Sequence, residues 1–178
     1  MTALLLVLVL AASYATPVAH SSSTGKFGSS GGCSCHYGAG STVSLTGTPT
    51  DYTPGQTYSL TISVSSSSGS KGGFSLDVNK GAFSNPGTSS KVNSQDTREA
   101  THSNENQRSW TLDWTAPTSG SGTAAFSYAG NAVNGDGTNN GDAPSTGSKN
   151  VPEGSGTNNA PSASSVSISP NPAVTTDI

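Results

Sequence analysis

The amino-acid sequence predicts an all-β domain, an antiparallel β-sandwich of about seven strands between residues 40 and 130. Three observations carry that prediction. Short runs of large apolar residues alternate with Ser, Thr or Asp, which is the period of a half-buried strand. Turn-forming residues separate these runs at regular intervals. After residue 19 no segment longer than a few residues shows helical periodicity. Composition agrees. Of 178 residues, hydrophobic types make up 30% and charged types 10%, while the formal charge is only −3. Disorder combines low hydrophobicity with high net charge, so a Ser/Thr-rich secreted sandwich fits this chain better. Lys and Arg total 7 and form no cluster, which excludes the electrostatic footprint of a nucleic-acid-binding protein.

Residues 1–19 read as a signal peptide. The apolar run 3–12 has the length of a signal core and is too short to span a bilayer, so no transmembrane segment is predicted. Its amino-terminal flank lacks Lys and Arg, and Ser13, Ala15 and Ala19 offer small residues for cleavage. Residues 20–39 form a Ser/Gly-rich flexible segment that carries Cys33-Ser34-Cys35-His36. The sandwich itself is placed at 40–142. Residues 42–45 (TVSL) give a first strand. Pro54-Gly55 suits the centre of a type II turn. In 57–64 (TYSLTISV), Tyr58, Leu60, Ile62 and Val64 face inward. A flexible loop at 65–70 precedes 73–78, where Phe74, Leu76 and Val78 point to the core, and 81–83 closes this strand. Residues 85–94 read as polar loop and 98–102 as a short strand.

Residues 108–142 hold both tryptophans. Trp110, Leu112 and Trp114 share one face of a strand, and Ala124, Phe126 and Tyr128 share one face of the next. The break at 116–122 joins them into a unit that must bury its aromatic face. Residues 143–165 lose apolar content and read as a linker. Residues 166–178 read as the start of a truncated further β-domain, so the chain reads as a fragment of a longer modular protein.

A spaced set of motifs resembles the Reeler (reelin-like) domain: Tyr52-Thr53-Pro54-Gly55-Gln56, Gly73-Phe74-Ser75-Leu76, Gly81-Ala82-Phe83, Thr101-His102-Ser103 and Trp114-Thr115-Ala116-Pro117. It is more similar still to the choice-of-anchor V domains of secreted prokaryotic proteins. In these a Gly-Cys-x-Cys-His or Cys-x-x-Cys-His motif precedes the sandwich and a Gly-Asn-Ala-x-Asn-Gly loop follows, matched here by 32–36 and 130–135. The resemblance covers about residues 31–142. It implies an immunoglobulin-like β-sandwich on an exported surface protein, and it implies no settled activity. The chain has only two cysteines, so the disulfide framework of animal Reeler domains does not carry over.

Cys33, Cys35 and His36 are the sharpest chemical signal. The haem c attachment signature is Cys-x-x-Cys-His, and this sequence is one residue short of it. A haem here would take His102 or His20 as its second axial ligand. The other readings are a local disulfide in an oxidising compartment, or two thiolates that hold a metal with His36. A second cluster, residues 134–142 (NGDGTNNGD), offers Asn134, Asp136, Asn140 and Asp142 as oxygen ligands for calcium. It lacks the terminal Glu of an EF-hand loop, and Asn-Gly and Asp-Gly are also ordinary turn formers. Cleavage after Ala19 would make His20 the mature amino terminus. With His102 it would then resemble the copper brace of lytic polysaccharide monooxygenases. His102 otherwise bonds backbone at a strand end, and Trp110 and Trp114 belong in the core unless exposed as a carbohydrate platform.

The reading is a secreted or cell-surface module, non-catalytic, that binds an extracellular protein or glycan. The alternatives are a haem c electron-transfer domain at Cys33, Cys35 and His36, and a copper-dependent polysaccharide oxygenase at His20 and His102.

Overall fold

The computed structural model of the chain describes residues 36–67 and 69–155. Among the described residues there is no helix. Nine strands form two antiparallel sheets. The first sheet has the order β1-β2-β7-β4, built from β1 (Ser41–Thr46), β2 (Thr57–Ser66), β7 (Ser109–Thr115) and β4 (Ala82–Ser84). The second has the order β5-β6-β3-β8-β9, from β5 (Ser90–Val92), β6 (Glu99–His102), β3 (Lys71–Val78), β8 (Ala124–Val133) and β9 (Ala143–Val151).

The sheets close over one core because their inner faces are the apolar halves of the alternating runs. On β2 and β7 the register sets Ile62 beside Trp110, Leu60 beside Leu112 and Tyr58 beside Trp114. Leu60, Ile62, Trp110, Leu112 and Trp114 are all buried; Tyr58 is half-buried at the rim. The outward residues of the same strands are short hydroxyls apart from Asp113. Thr57 Oγ1 meets Thr115 Oγ1 at 2.9 Å, and Ser63 Oγ meets Ser109 Oγ at 3.0 Å. This face explains how a stable sheet coexists with so few charges: cross-strand Ser/Thr pairs take the place of ion pairs.

The strands on either side of the 116–122 break go to different sheets, and their aromatic faces bury each other. Trp114 of β7 packs edge-on against Phe126 of β8, with ring centroids 4.9 Å apart. It also meets Tyr52 in a T-shaped contact at 5.7 Å and stacks on Tyr58 at 5.8 Å. Its indole N–H donates to the Lys80 carbonyl (3.1 Å), so the one polar atom of the ring is satisfied. Gly81 makes that approach possible. Its φ is +81°, and a Cβ there would sit 2.5 Å from Trp114 Nε1.

Three expectations need correction. The linker read at 143–165 does not hold over its first nine residues, because Ala143–Val151 is β9 and pairs with β8 along its whole length. The sandwich therefore runs past residue 142, to Gly154, whose N–H bonds the Tyr52 carbonyl. Sequence periodicity missed β9 because only its terminal residues, Ala143 and Val151, are buried apolar side chains. Its pairing rests on backbone hydrogen bonds and on Gly147, which lies under the Tyr128 ring. Second, the polar stretch 85–94 contains the short strand β5, paired with β6. Third, Tyr52, read only as part of a turn, is fully buried.

Tyr52 also anchors the end of the sandwich opposite the 134–142 loop. Its N–H donates to the Pro152 carbonyl and its carbonyl accepts from the Gly154 N–H, both at 2.9 Å. Its hydroxyl donates to the Gly122 carbonyl at 2.6 Å. The Glu153 carboxylate accepts the N–H groups of Gly120 and Gly122 at 2.8 Å, which holds its pKa below the ordinary carboxylate value. The predicted signal segment and the 166–178 segment lie outside the described residues.

Replacement of Trp114 by Ala should lower the unfolding free energy by about 3–5 kcal/mol, the usual cost of emptying a buried tryptophan site. Thr111→Ala on the outer face should cost about 0.5 kcal/mol or less. Denaturant titration of the two variants checks the contrast.

Candidate functional site

Four segments meet at one end of the sandwich. Ser41, the first residue of β1, lies beside Ser66, the last of β2. Lys71 at the start of β3 pairs with Val133 at the end of β8, and Ala143 opens β9 opposite Ala132. Residues 36–40, 67, 69–70, 103–108 and 134–142 therefore share this end. Arg108 ties its own segment to both flanks of the loop between β2 and β3: its Nε donates to the Lys71 carbonyl and its Nη1 to the Ser66 carbonyl, each at 3.0 Å.

Two motifs that are far apart in sequence join here. His36 Nδ1 lies 2.6 Å from Asp142 Oδ2. Asp142 is only 1% exposed, whereas the His36 side chain is 39% exposed. An ionised carboxylate can only accept, so Nδ1–H is the donor of this bond. The other carboxylate oxygen, Oδ1, accepts the Asn134 N–H at 3.1 Å. Tyr37 extends the docking through the backbone: its N–H donates to the Asn139 carbonyl at 2.9 Å. Gly38 allows the chain to pass. It has φ +151°, and a Cβ there would overlap the Asp142 carbonyl oxygen. Tyr37 itself is 60% exposed, the large hydrophobic residue left open to solvent among the described residues. Nothing in the sequence pattern marks it, since it simply follows His36.

The 134–142 loop is shaped by its own side chains. Asn134 Oδ1 accepts the Asp136 N–H at 3.1 Å, and Asp136 Oδ1 accepts both the N–H (2.8 Å) and the hydroxyl (2.9 Å) of Thr138. These donors, the Thr138 N–H first, hold the Asp136 pKa below its usual value. Asn134 Nδ2 donates to Asp136 Oδ2 and to the Asn140 carbonyl. Of the four oxygen ligands read for calcium, Asp142 is thus turned to His36, while Asn134, Asp136 and Asn140 bond one another within the loop. Among the described residues no group of three or more His, Cys, Asp and Glu converges as a metal cluster. Cys33, Cys35 and His20 lie outside the described residues.

His102 ends β6 and leans on β3. Its Nδ1 is 3.1 Å from the Phe74 nitrogen and 3.2 Å from the Phe74 oxygen, and the tautomer decides which bond forms. Its ring packs against Phe74 and Trp110 at 6.3 and 6.2 Å and lies over Gly73, which has no side chain to displace it. The strand-end backbone partner expected from the sequence is therefore Phe74. Burial lowers the His102 pKa; the Phe74 backbone opposes that shift, Lys91 adds to it and Glu105 opposes it. Trp110 and Trp114 lie in the core and present no carbohydrate platform.

No family model and no curated protein matches the sequence. Among solved structures, the chain is similar to the human F-spondin Reeler domain. Fragment 1 of that domain aligns at 20% identity with a TM-score of 0.47, covering 67% of this chain and 92% of that one. Fragment 2 aligns at 20% identity and 0.48, covering 65% and 93%. The Reelin-N domain of F-spondin aligns at 20% identity and 0.47, covering 67% and 89%.

A depressed His102 pKa means that the unfolded chain binds the extra proton first as pH falls. The stabilisation is fully present above the unfolded value of about 6.5 and declines below it. Wild-type protein should therefore lose stability between pH 7.5 and 5.5, and His102→Asn, which keeps an acceptor for the Phe74 N–H, should lose less; denaturation midpoints across that range test this. Asp142→Ala strands the Asn134 N–H and frees His36. It should cost about 1–3 kcal/mol and open the chain near residue 37 to limited proteolysis.

Proposed function

We propose that the chain is an exported, non-catalytic surface module that binds neutral glycans at the loop end of its sandwich. The observation that carries this is the setting of Tyr37. An aromatic ring stands 60% exposed, and its backbone is bonded to a loop whose side chains are amides, hydroxyls and carboxylates. An aromatic face with flanking hydrogen-bond groups is the chemistry that recognises a sugar ring: the apolar face of the sugar stacks and its hydroxyls bond the rim. Loops at the end of a rigid sandwich are also where such folds carry variable binding groups. The Reeler resemblance and the apolar run at 3–12 support export.

The test is a glycan array probed with the full chain and with Tyr37→Ala. Binding to neutral oligosaccharides should fall about fivefold in the variant, the loss expected for one aromatic contact of about 1 kcal/mol, with an unchanged melting temperature. Binding that survives Tyr37→Ala, or an array with no bound glycan, would overturn the reading.

A further inference from the structure

We propose that Asn140 is a self-modifying residue: its side-chain amide is lost to attack by the Gly141 nitrogen, and the isoaspartyl linkage that results unfastens the segment entering β1 from the 134–142 loop.

The chain has two Asn-Gly pairs, Asn134-Gly135 and Asn140-Gly141, and both lie in this loop. A glycine after asparagine leaves its backbone nitrogen unshielded by a side chain, so that nitrogen can approach the Asn Cγ. The two amides stand in different settings. The Asn134 amide is pinned at both of its atoms. Its Oδ1 accepts the Asp136 N–H at 3.1 Å, and its Nδ2 donates to Asp136 Oδ2 at 3.0 Å and to the Asn140 carbonyl at 3.1 Å. To react, it must give up these bonds. Asn140 is exposed, and its hydrogen bonds are those of its backbone, the N–H to Thr138 Oγ1 and the carbonyl to Asn134 Nδ2. Among the described residues no hydrogen bond holds its side-chain amide, which is free to swing onto Gly141. Gly141 in turn has to be glycine: its φ is +78°, and a Cβ there would lie 2.9 Å from Asn134 Nδ2.

The reaction balances with water alone. Solvent base takes the Gly141 N–H proton, and the nitrogen bonds to Asn140 Cγ. The Cγ–Nδ2 bond breaks, and the amide leaves as ammonia with a proton from water. Water then opens the succinimide ring at one of its two carbonyls. Opening at Cγ gives an ordinary aspartate. Opening at the main-chain carbonyl gives the isoaspartyl linkage, in which the chain runs through Cγ. One water is consumed and one ammonia released.

The consequence follows from where residue 140 sits. The segment entering β1 touches the loop on both sides of the Asn140–Gly141 link. The Tyr37 N–H donates to the Asn139 carbonyl at 2.9 Å, and His36 Nδ1 meets Asp142 Oδ2 at 2.6 Å. The isoaspartyl linkage inserts one methylene into the main chain between these two contacts. Asp142 is not placed to absorb it, because it is buried and Ala143 begins β9 directly after it. The passing chain has no slack either, since a Cβ at Gly38 would already overlap the Asp142 carbonyl oxygen. The Asn139 carbonyl therefore shifts off the Tyr37 N–H, and the segment ahead of β1 comes loose. This holds whether or not Tyr37 binds a glycan.

The experiment ages the full chain in mildly alkaline buffer and follows it by peptide mass mapping, with isoaspartate counted by enzymatic methylation. Expected is the mass gain of amide to carboxylate at Asn140, about tenfold faster than at Asn134, the factor for one further hydrogen bond broken at about 1.4 kcal/mol. Cleavage near residue 37 in limited proteolysis should quicken in step with the isoaspartate fraction. Asn140→Gln, shown to be folded by a melting temperature equal to that of fresh wild type, should neither gain mass at residue 140 nor lose protease resistance on ageing. Asn134 reacting as fast as Asn140 would overturn the proposal. So would a folded chain that gains no mass at Asn140 while a denatured sample does, or aged wild type that carries isoaspartate there and keeps its protease resistance. Asn140→Gln ageing to the same protease sensitivity as wild type would overturn it as well.

Discussion

The contact between Trp114 and Phe126 holds the two sheets in one relation to each other. Trp114 sits on the centre-strand β7, and its ring touches residues from the 47–56 loop, from β2 and from the opposite sheet, while its N–H closes onto the turn after β3. Four parts of the chain thus meet at one side chain. The turn at Gly81 is left-handed, and the Thr115 carbonyl and the indole leave no room for a Cβ there. Tyr52 is buried because the indole edge fills the space beside it, and the carboxyl-terminal clamp at Glu153 then forms on Tyr52. Through these steps a single aromatic contact fixes where the last described strand ends.

The opposite end is organised by polar groups instead. Asp142 links His36, in the segment entering β1, to the Asn/Asp-rich loop entering β9. Burial of that carboxylate makes the link directional: the acceptor lies inside the fold, while the histidine side chain stays 39% exposed.

Periodic segments were legible from the sequence because burial on one face writes itself into every second residue. Leu60, Ile62 and Val64, and Phe74, Leu76 and Val78, are inward as their alternation requires. Strand β9 left no such mark: its middle residues are small and polar, and its place is set by backbone pairing with β8 and by the Tyr128 ring over Gly147. Tyr52 was hidden by its own turn residues, which describe the local bend and say nothing of the long-range pocket its ring fills. At the site, His36 and Asp142 were each visible as chemistry-bearing residues, but their union spans 106 positions and depends on how β8 and β9 return the chain to the start of β1. Local spacing cannot encode such a closure.

The chain enters the described domain at His36 and leaves it beyond Glu153, at opposite ends of the sandwich. Strand β9 runs the distance between them, nine residues or about 30 Å. Tension transmitted through the polypeptide would therefore pull β9 along its own axis against β8 and load their ladder of hydrogen bonds in shear, all at once, instead of peeling them one by one. The two clamps, His36–Asp142 and Tyr52–Glu153, stand where that tension would enter and leave. The architecture is that of a link that resists being drawn out, with its grips made of a buried carboxylate at one end and a buried phenol at the other.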